Sequence, residues 1–170
     1  MFARLLLTLA LLFAAAPAAR AQQADAQQHP DFSGTWKLNL DKSDYGDLQG
    51  PDTRTDIIEQ RDGHITERVT AAGRHRTQQY TLDFATDGTS TALPPDTKMG
   101  IVVILAVSSR WQGSALIVTQ NLRFQGAPLV AINRYTLSAD ANTLTIALAF
   151  SSDSDPAATF VFDRVPADKR

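Results

Sequence analysis

The chain has 170 residues, with 16 lysines and arginines against 18 aspartates and glutamates, and no cysteine. A formal net charge of −2 offers no electrostatic footprint for nucleic acid or an anionic membrane. The lack of cysteine excludes a disulfide framework, thiolate chemistry and an acylated cysteine anchor, so the fold must rest on its core.

The first 21 residues read as a secretory signal. Met1-Phe2-Ala3-Arg4 supplies the positive start, Leu5 to Ala16 the apolar run, and Ala19-Arg20-Ala21 a small-x-small cleavage site. The run is shorter than the roughly 20 residues a membrane-spanning helix needs. A periplasmic or secreted location is therefore expected, with cleavage after Ala21. Without Arg4 and Arg20 the remainder carries 14 basic and 18 acidic residues, a net charge of −4. Residues 22–30 are polar and low in complexity and are expected to form a disordered leader, followed by one domain over 31–166 and a tail at 167–170.

The cleanest period-two segment is Phe32 to Asn39. Phe32, Gly34, Trp36, Leu38 and then Leu40 share one face, which predicts a half-buried strand with an indole at its centre. Asp41 to Pro51 is rich in breakers and reads as a loop. Thr53–Gln60 and Gly63–Thr70 read as strands around the hairpin dipeptide Asp62-Gly63, and Arg74–Phe84 as a third. If facing residues in the last pair sum to 145, Ile65 meets Tyr80, Glu67 meets Gln78, and Ala72-Gly73 is the turn. Asp87-Gly88 opens a second long connection, running to Lys98.

Gly100 to Val107 has no polar side chain and reads as a strand covered on both faces. Leu116, Val118, Gln120, Leu122 and Phe124 form one face of the next strand. Leu129, Ala131, Asn133, Tyr135 and Leu137 form the inner face of another. Leu144, Ile146, Leu148 and Phe150 follow the turn Asp140-Ala141-Asn142, and Phe160, Phe162 and Arg164 share a face of the last strand. Nine short strands without a helical stripe indicate an antiparallel all-β sandwich or barrel, and closure, which removes exposed edges, favours the expected fold: an all-β, antiparallel up-and-down barrel of about 8–10 strands.

The motif Phe32-x-Gly34-x-Trp36-Lys37-Leu38 resembles the first strand of the calycins, the lipocalin and fatty-acid-binding barrels. In those barrels a last-strand arginine stacks on the tryptophan, a role the resemblance gives to Arg164. The opening Asp31 to Asn39, with Lys42-Ser43-Asp44-Tyr45-Gly46, Tyr135-x-Leu137-Ser138 and Phe162-Asp163-Arg164, is similar to exported bacterial lipocalin-like domains of no assigned function. Three departures stand out. The Asp41–Pro51 stretch is too short for the two helices of fatty-acid-binding proteins, Arg164-Val165-Pro166 lacks their carboxylate-gripping Arg-x-Tyr, and the Thr-Asp-Tyr loop of typical lipocalins is missing.

Polar residues on inward faces are the candidates for function, because a buried polar group costs about 1–3 kcal/mol unless paired. Glu67, Arg76 and Gln78 are expected side by side, joined by Gln120 and Asn133, with Tyr80 and Trp111 as aromatic walls of a ligand site. Trp36 and Arg164 are expected to be structural. His29, His64 and His75 do not converge, so no metal is expected, and no cofactor or catalytic motif stands out. The expected function is binding of a small, partly apolar molecule. A ligand-free interaction module of the cell envelope and a barrel isomerase or cyclase using Glu67 as base are the alternatives.

Overall fold

The structure is a computed structural model, and it describes residues 29–73, 76–150 and 155–166. The signal segment, most of the leader, the basic tip at 74–75, the loop at 151–154 and the tail lie outside the described residues.

Eleven antiparallel strands form one nearly closed sheet. They are β1 (Gly34–Leu38), β2 (Thr53–Arg61), β3 (His64–Gly73), β4 (Arg76–Ala85), β5 (Asp87–Ala92), β6 (Lys98–Met99), β7 (Val102–Gln112), β8 (Ala115–Phe124), β9 (Ala127–Leu137), β10 (Thr143–Ala149) and β11 (Ala158–Arg164). The order around the wall is β4-β3-β2-β1-β11-β10-β9-β8-β7-β5, with β6 beside β7. The chain therefore meanders, and β1 sits between β2 and β11 because the two ends of the meander close on each other. Among the described residues β4 and β5 share no ladder, and the wall is bridged there from β7, where the Ser109 hydroxyl donates to the Ala85 carbonyl of β4 at 2.9 Å.

Alternation decides which residues fill the barrel. Trp36, Leu38, Ile58, Ile65, Leu82, Phe84, Leu116, Val118, Leu122, Leu144, Ile146 and Phe162 are all buried in one cluster. Asp62 and Gly63 both adopt positive φ, 50° and 74°, the backbone of the tight two-residue turn that matches strand twist.

Four local expectations are corrected. The β3–β4 pair sums to 149, not 145, so Ile65 faces Phe84, Glu67 faces Leu82, and Ala72 and Gly73, expected as the turn, are paired in the ladder with Thr77 and Arg76. The faces survive because the slip is even; the neighbours do not. Asp87–Ala92, expected as connection, is an edge strand whose small polar side chains are mostly exposed on both faces, so it shows no apolar alternation. The stretch after Gly100 is not covered on both sides, since Leu105 is 39 % and Ile101 59 % exposed. A bulge between Ile104 and Ala106 inserts Leu105 as the extra residue, so that Ile104, Val107 and Ser109 all turn inward. Finally, the Asp41–Pro51 stretch includes the end of a 3₁₀ turn (Leu40–Lys42) and a bridge from Asp44 to Thr159, so it is pinned to β11.

The two ends of the barrel differ. At one end Phe32, Trp36, Tyr135 and Trp111 pack together beneath the strap 29–33. The Gln60 side chain ties this strap down by accepting from the Phe32 amide and donating to the Pro30 carbonyl. At the other end lie the 3₁₀ turn, the β5–β7 connection carrying β6, and the turn at Gln125-Gly126. Tyr45 reaches over this mouth to Phe160, with ring centroids 5.4 Å apart.

Candidate functional site

The floor of the barrel is built around one indole. The Trp36 Nε1–H donates to the Phe32 carbonyl at 2.9 Å, and the Arg164 guanidinium lies over the ring at 4.1 Å from its centroid. Arg164 also donates to the carbonyls of Ser33 and Ala141, each at 2.7 Å, so its charge is received by oxygen on two sides and by a π face on the third. Gly34 makes this approach possible. A Cβ there would meet Arg164 Nη1 at 2.5 Å, and its φ of +143° disfavours L side chains.

Above the floor, β2 and β3 place charges where the barrel is otherwise apolar. Even-numbered residues of β2 point inward, so Arg54 and Asp56 sit above Ile58 on the inner wall. Arg54 grips Asp56 with two parallel hydrogen bonds, Nε to Oδ1 at 2.8 Å and Nη2 to Oδ2 at 2.7 Å, and its guanidinium lies 5.6 and 5.3 Å from the ring centroids of Phe160 and Phe162. Glu67, fully buried on β3, accepts from the Tyr135 hydroxyl at 3.0 Å and lies 3.6 Å from Arg54 Nη2. Glu67 Oε1 is buried without a hydrogen-bonding donor among the described residues.

The electrostatics follow from burial. Desolvation, then the adjacent Asp56 carboxylate, push Glu67 up to about 8, which favours its protonated form at neutral pH. Burial alone would lower Arg54, but the Asp56 carboxylate holds it well above its ordinary value. Burial raises Tyr80 to about 12 and holds Tyr135 well above the ordinary phenol value. The cluster is thus a bidentate Arg54–Asp56 pair beside a carboxyl and two phenols whose proton affinity burial raises.

The residues singled out from sequence are dispersed. Glu67 is in this cluster, but its wall neighbours are Ile58 and Leu82 rather than Gln78. Arg76 is exposed at the mouth, opposite Gly73. Gln78 is half-buried beneath Gly100, whose Cβ position lies 3.1 Å from the Gln78 amide nitrogen, and the Tyr80 hydroxyl meets the Met99 sulfur at 3.8 Å. These two side chains therefore lie under β6. Gln120 and Asn133 are buried on the opposite wall, beside Val107 and Leu148. Trp111 is at the closed end, stacked on Phe32 and on His29, the latter with centroids 4.2 Å apart and planes 1° apart. Arg54 and Asp56 escaped the sequence reading. Their signal is a charged i, i+2 pair in register with Ile58, inside the expected strand Thr53–Gln60.

Toward the mouth, Tyr80, Leu93, Val102, Leu129, Leu148 and Phe160 pack on the core while staying partly exposed. They offer apolar wall above the polar cluster. A separate open hollow of about 390 Å³ on the outer surface is lined by Lys37, Leu38, Asn39, Leu40, Asp41 and Asp163 and holds none of these groups. Among the described residues, no group of histidines and carboxylates could hold a metal ion, and no helix is long and apolar enough to cross a membrane.

No family model and no curated protein matches the sequence. Solved structures do match by shape. Human cRBP IV is similar with 17 % identity and a TM-score of 0.55, over 80 % of this chain and 99 % of that one. A secretory abundant heat soluble protein of Ramazzottius varieornatus is similar with 12 % identity and a TM-score of 0.55, over 78 % and 94 %. Secretory abundant heat soluble protein 4 of the same animal follows with 11 % identity and a TM-score of 0.51, over 79 % and 95 %. At such identities the likeness is one of fold alone, that of an all-β, antiparallel, nearly closed barrel.

Proposed function

We propose that this chain is an exported calycin barrel that holds a small, partly apolar molecule inside, with its tail along the mouth-side wall and its polar group toward Arg54, Glu67 and Tyr80. The observation that carries this reading is the buried cluster of Arg54, Asp56, Glu67 and Tyr135 in an otherwise hydrocarbon interior. A buried ion pair is a poor device for stability, since apolar residues of the same volume usually do as well or better. Its retention is better accounted for by a ligand that needs a polar end. The partly exposed Leu93, Leu129, Leu148 and Phe160 supply the apolar surface such a ligand would cover. Export rests on the sequence of residues 1–21, and no oligomeric state is part of the proposal.

An isomerase or cyclase using Glu67 has one observation in its favour, the raised proton affinity of that carboxyl. Against it, the Glu67 side chain is fully buried, with Oε2 accepting from Tyr135 and Oε1 3.6 Å from Arg54 Nη2. Native mass spectrometry of protein purified from the cell envelope or medium tests the binding reading. A retained small molecule released on denaturation is the expected result. A bare mass across preparations, together with no uptake of added lipophiles, would overturn it.

A further inference from the structure

The charge balance of the cluster bears on which ligands could occupy the barrel. Arg54 is the cation beside the mouth-side wall, and it has already spent its bidentate face: Nε and Nη2 both donate to Asp56, whose carboxylate is fully buried. The groups facing this pair from the neighbouring strands are Glu67 on β3, Tyr80 on β4 and Tyr135 on β9, and none adds a positive charge. Phe160 and Phe162 flank the guanidinium from β11. A carboxylate entering here would find no unbalanced cation and would face the Asp56 anion at short range in a low-dielectric site.

We propose that the barrel, if it binds a partly apolar ligand as set out above, takes an uncharged head group such as an alcohol, amide or ester, and that Asp56 excludes fatty carboxylates by occupying Arg54. This inference rests on the proposed binding function and names its ligand class. The Tyr80 hydroxyl is the donor available to such a head group, since its described partner is the Met99 thioether at 3.8 Å, a weak acceptor. Burial favours the protonated form of Glu67 at neutral pH, and its ionisation above about pH 8 would add a negative charge to the cluster.

The test is calorimetric titration of the purified full chain with 1-dodecanol and with dodecanoate, which share a tail and differ in head group. At pH 7 the wild type is expected to bind dodecanol at least tenfold more tightly. Asp56→Asn is expected to invert or erase that ratio, because Arg54 is then unbalanced. In the wild type, dodecanoate affinity should fall severalfold further between pH 7 and 9.5 while dodecanol affinity holds. Glu67→Gln should remove that pH dependence, and it serves where Asp56→Asn fails to fold. Tighter dodecanoate binding by the wild type, an unchanged ratio in a folded Asp56→Asn, or a pH-independent ratio in the wild type would each overturn the inference while leaving a binding barrel. Absence of binding by either probe would instead overturn the binding reading itself, and this inference with it.

Discussion

Glu67 binds its proton more tightly in the folded chain than in the unfolded one, and the sign of its contribution to stability follows. Between its ordinary value of 4.5 and its native value of about 8 the native state carries the extra proton, so raising pH across that window costs stability. At about 1.4 kcal/mol per pKa unit the loss is of order 5 kcal/mol. A series of thermal melts from pH 5 to 9 should therefore show a falling midpoint in the wild type and a much flatter one in Glu67→Gln; parallel curves would show that Glu67 is not the group responsible. Gly34→Ala is expected to lose about 1–3 kcal/mol in denaturant titration, from the strained φ and the displaced Arg164. At this scale the legible residues were those that broke a pattern within their own strand. Trp36 at the centre of an apolar face and Arg164 between phenylalanines were such residues, and so was Glu67. Their partners were illegible because they come from other strands. Asp56 was hidden for this reason, as was Tyr135, whose hydroxyl cannot be assigned a target without the register that brings β3 and β9 into one interior.

At the scale of elements, alternation placed nine strands and failed where alternation itself fails. β5 carries Asp87-Gly88-Thr89-Ser90-Thr91-Ala92 at the end of the sheet, where no face needs to be apolar. The bulge at Leu105 made a one-sided strand look two-sided. The β3–β4 register missed by an even step because both candidate turns are short, and hydrophobic faces do not distinguish slips of two or four. The unlaced seam between β4 and β5 should be the softest part of the wall. Amide hydrogen exchange is expected to be faster in these two strands than in β8 and β9, which are laddered on both sides. Ser109→Ala removes the bridge to Ala85, and the loss of a hydrogen bond of about 1 kcal/mol should speed exchange around Ala85 and Thr86 about fivefold. Equal protection in β4 and β8 would contradict the open seam.

On the scale of the whole molecule, the barrel has a packed stopper at one end and, in the proposed function, a ligand-holding chamber toward the other. The stopper is Trp36 with Phe32, Tyr135, Trp111 and Arg164. Trp36→Ala is expected to cost about 3–5 kcal/mol in chemical denaturation, a loss spread over the whole domain rather than confined to one activity. The chamber is the mouth-side wall above Arg54 and Asp56, and the account as a whole depends on a molecule lodging there. Methyl-resolved NMR during titration with 1-dodecanol tests this most directly. The methyl signals of Leu93, Val102, Leu129 and Leu148 should shift saturably, while those of Leu105 and Val130 on the outer face stay still. Shifts confined to the outer face, or none at concentrations where the probe remains dispersed, would contradict an interior binding site.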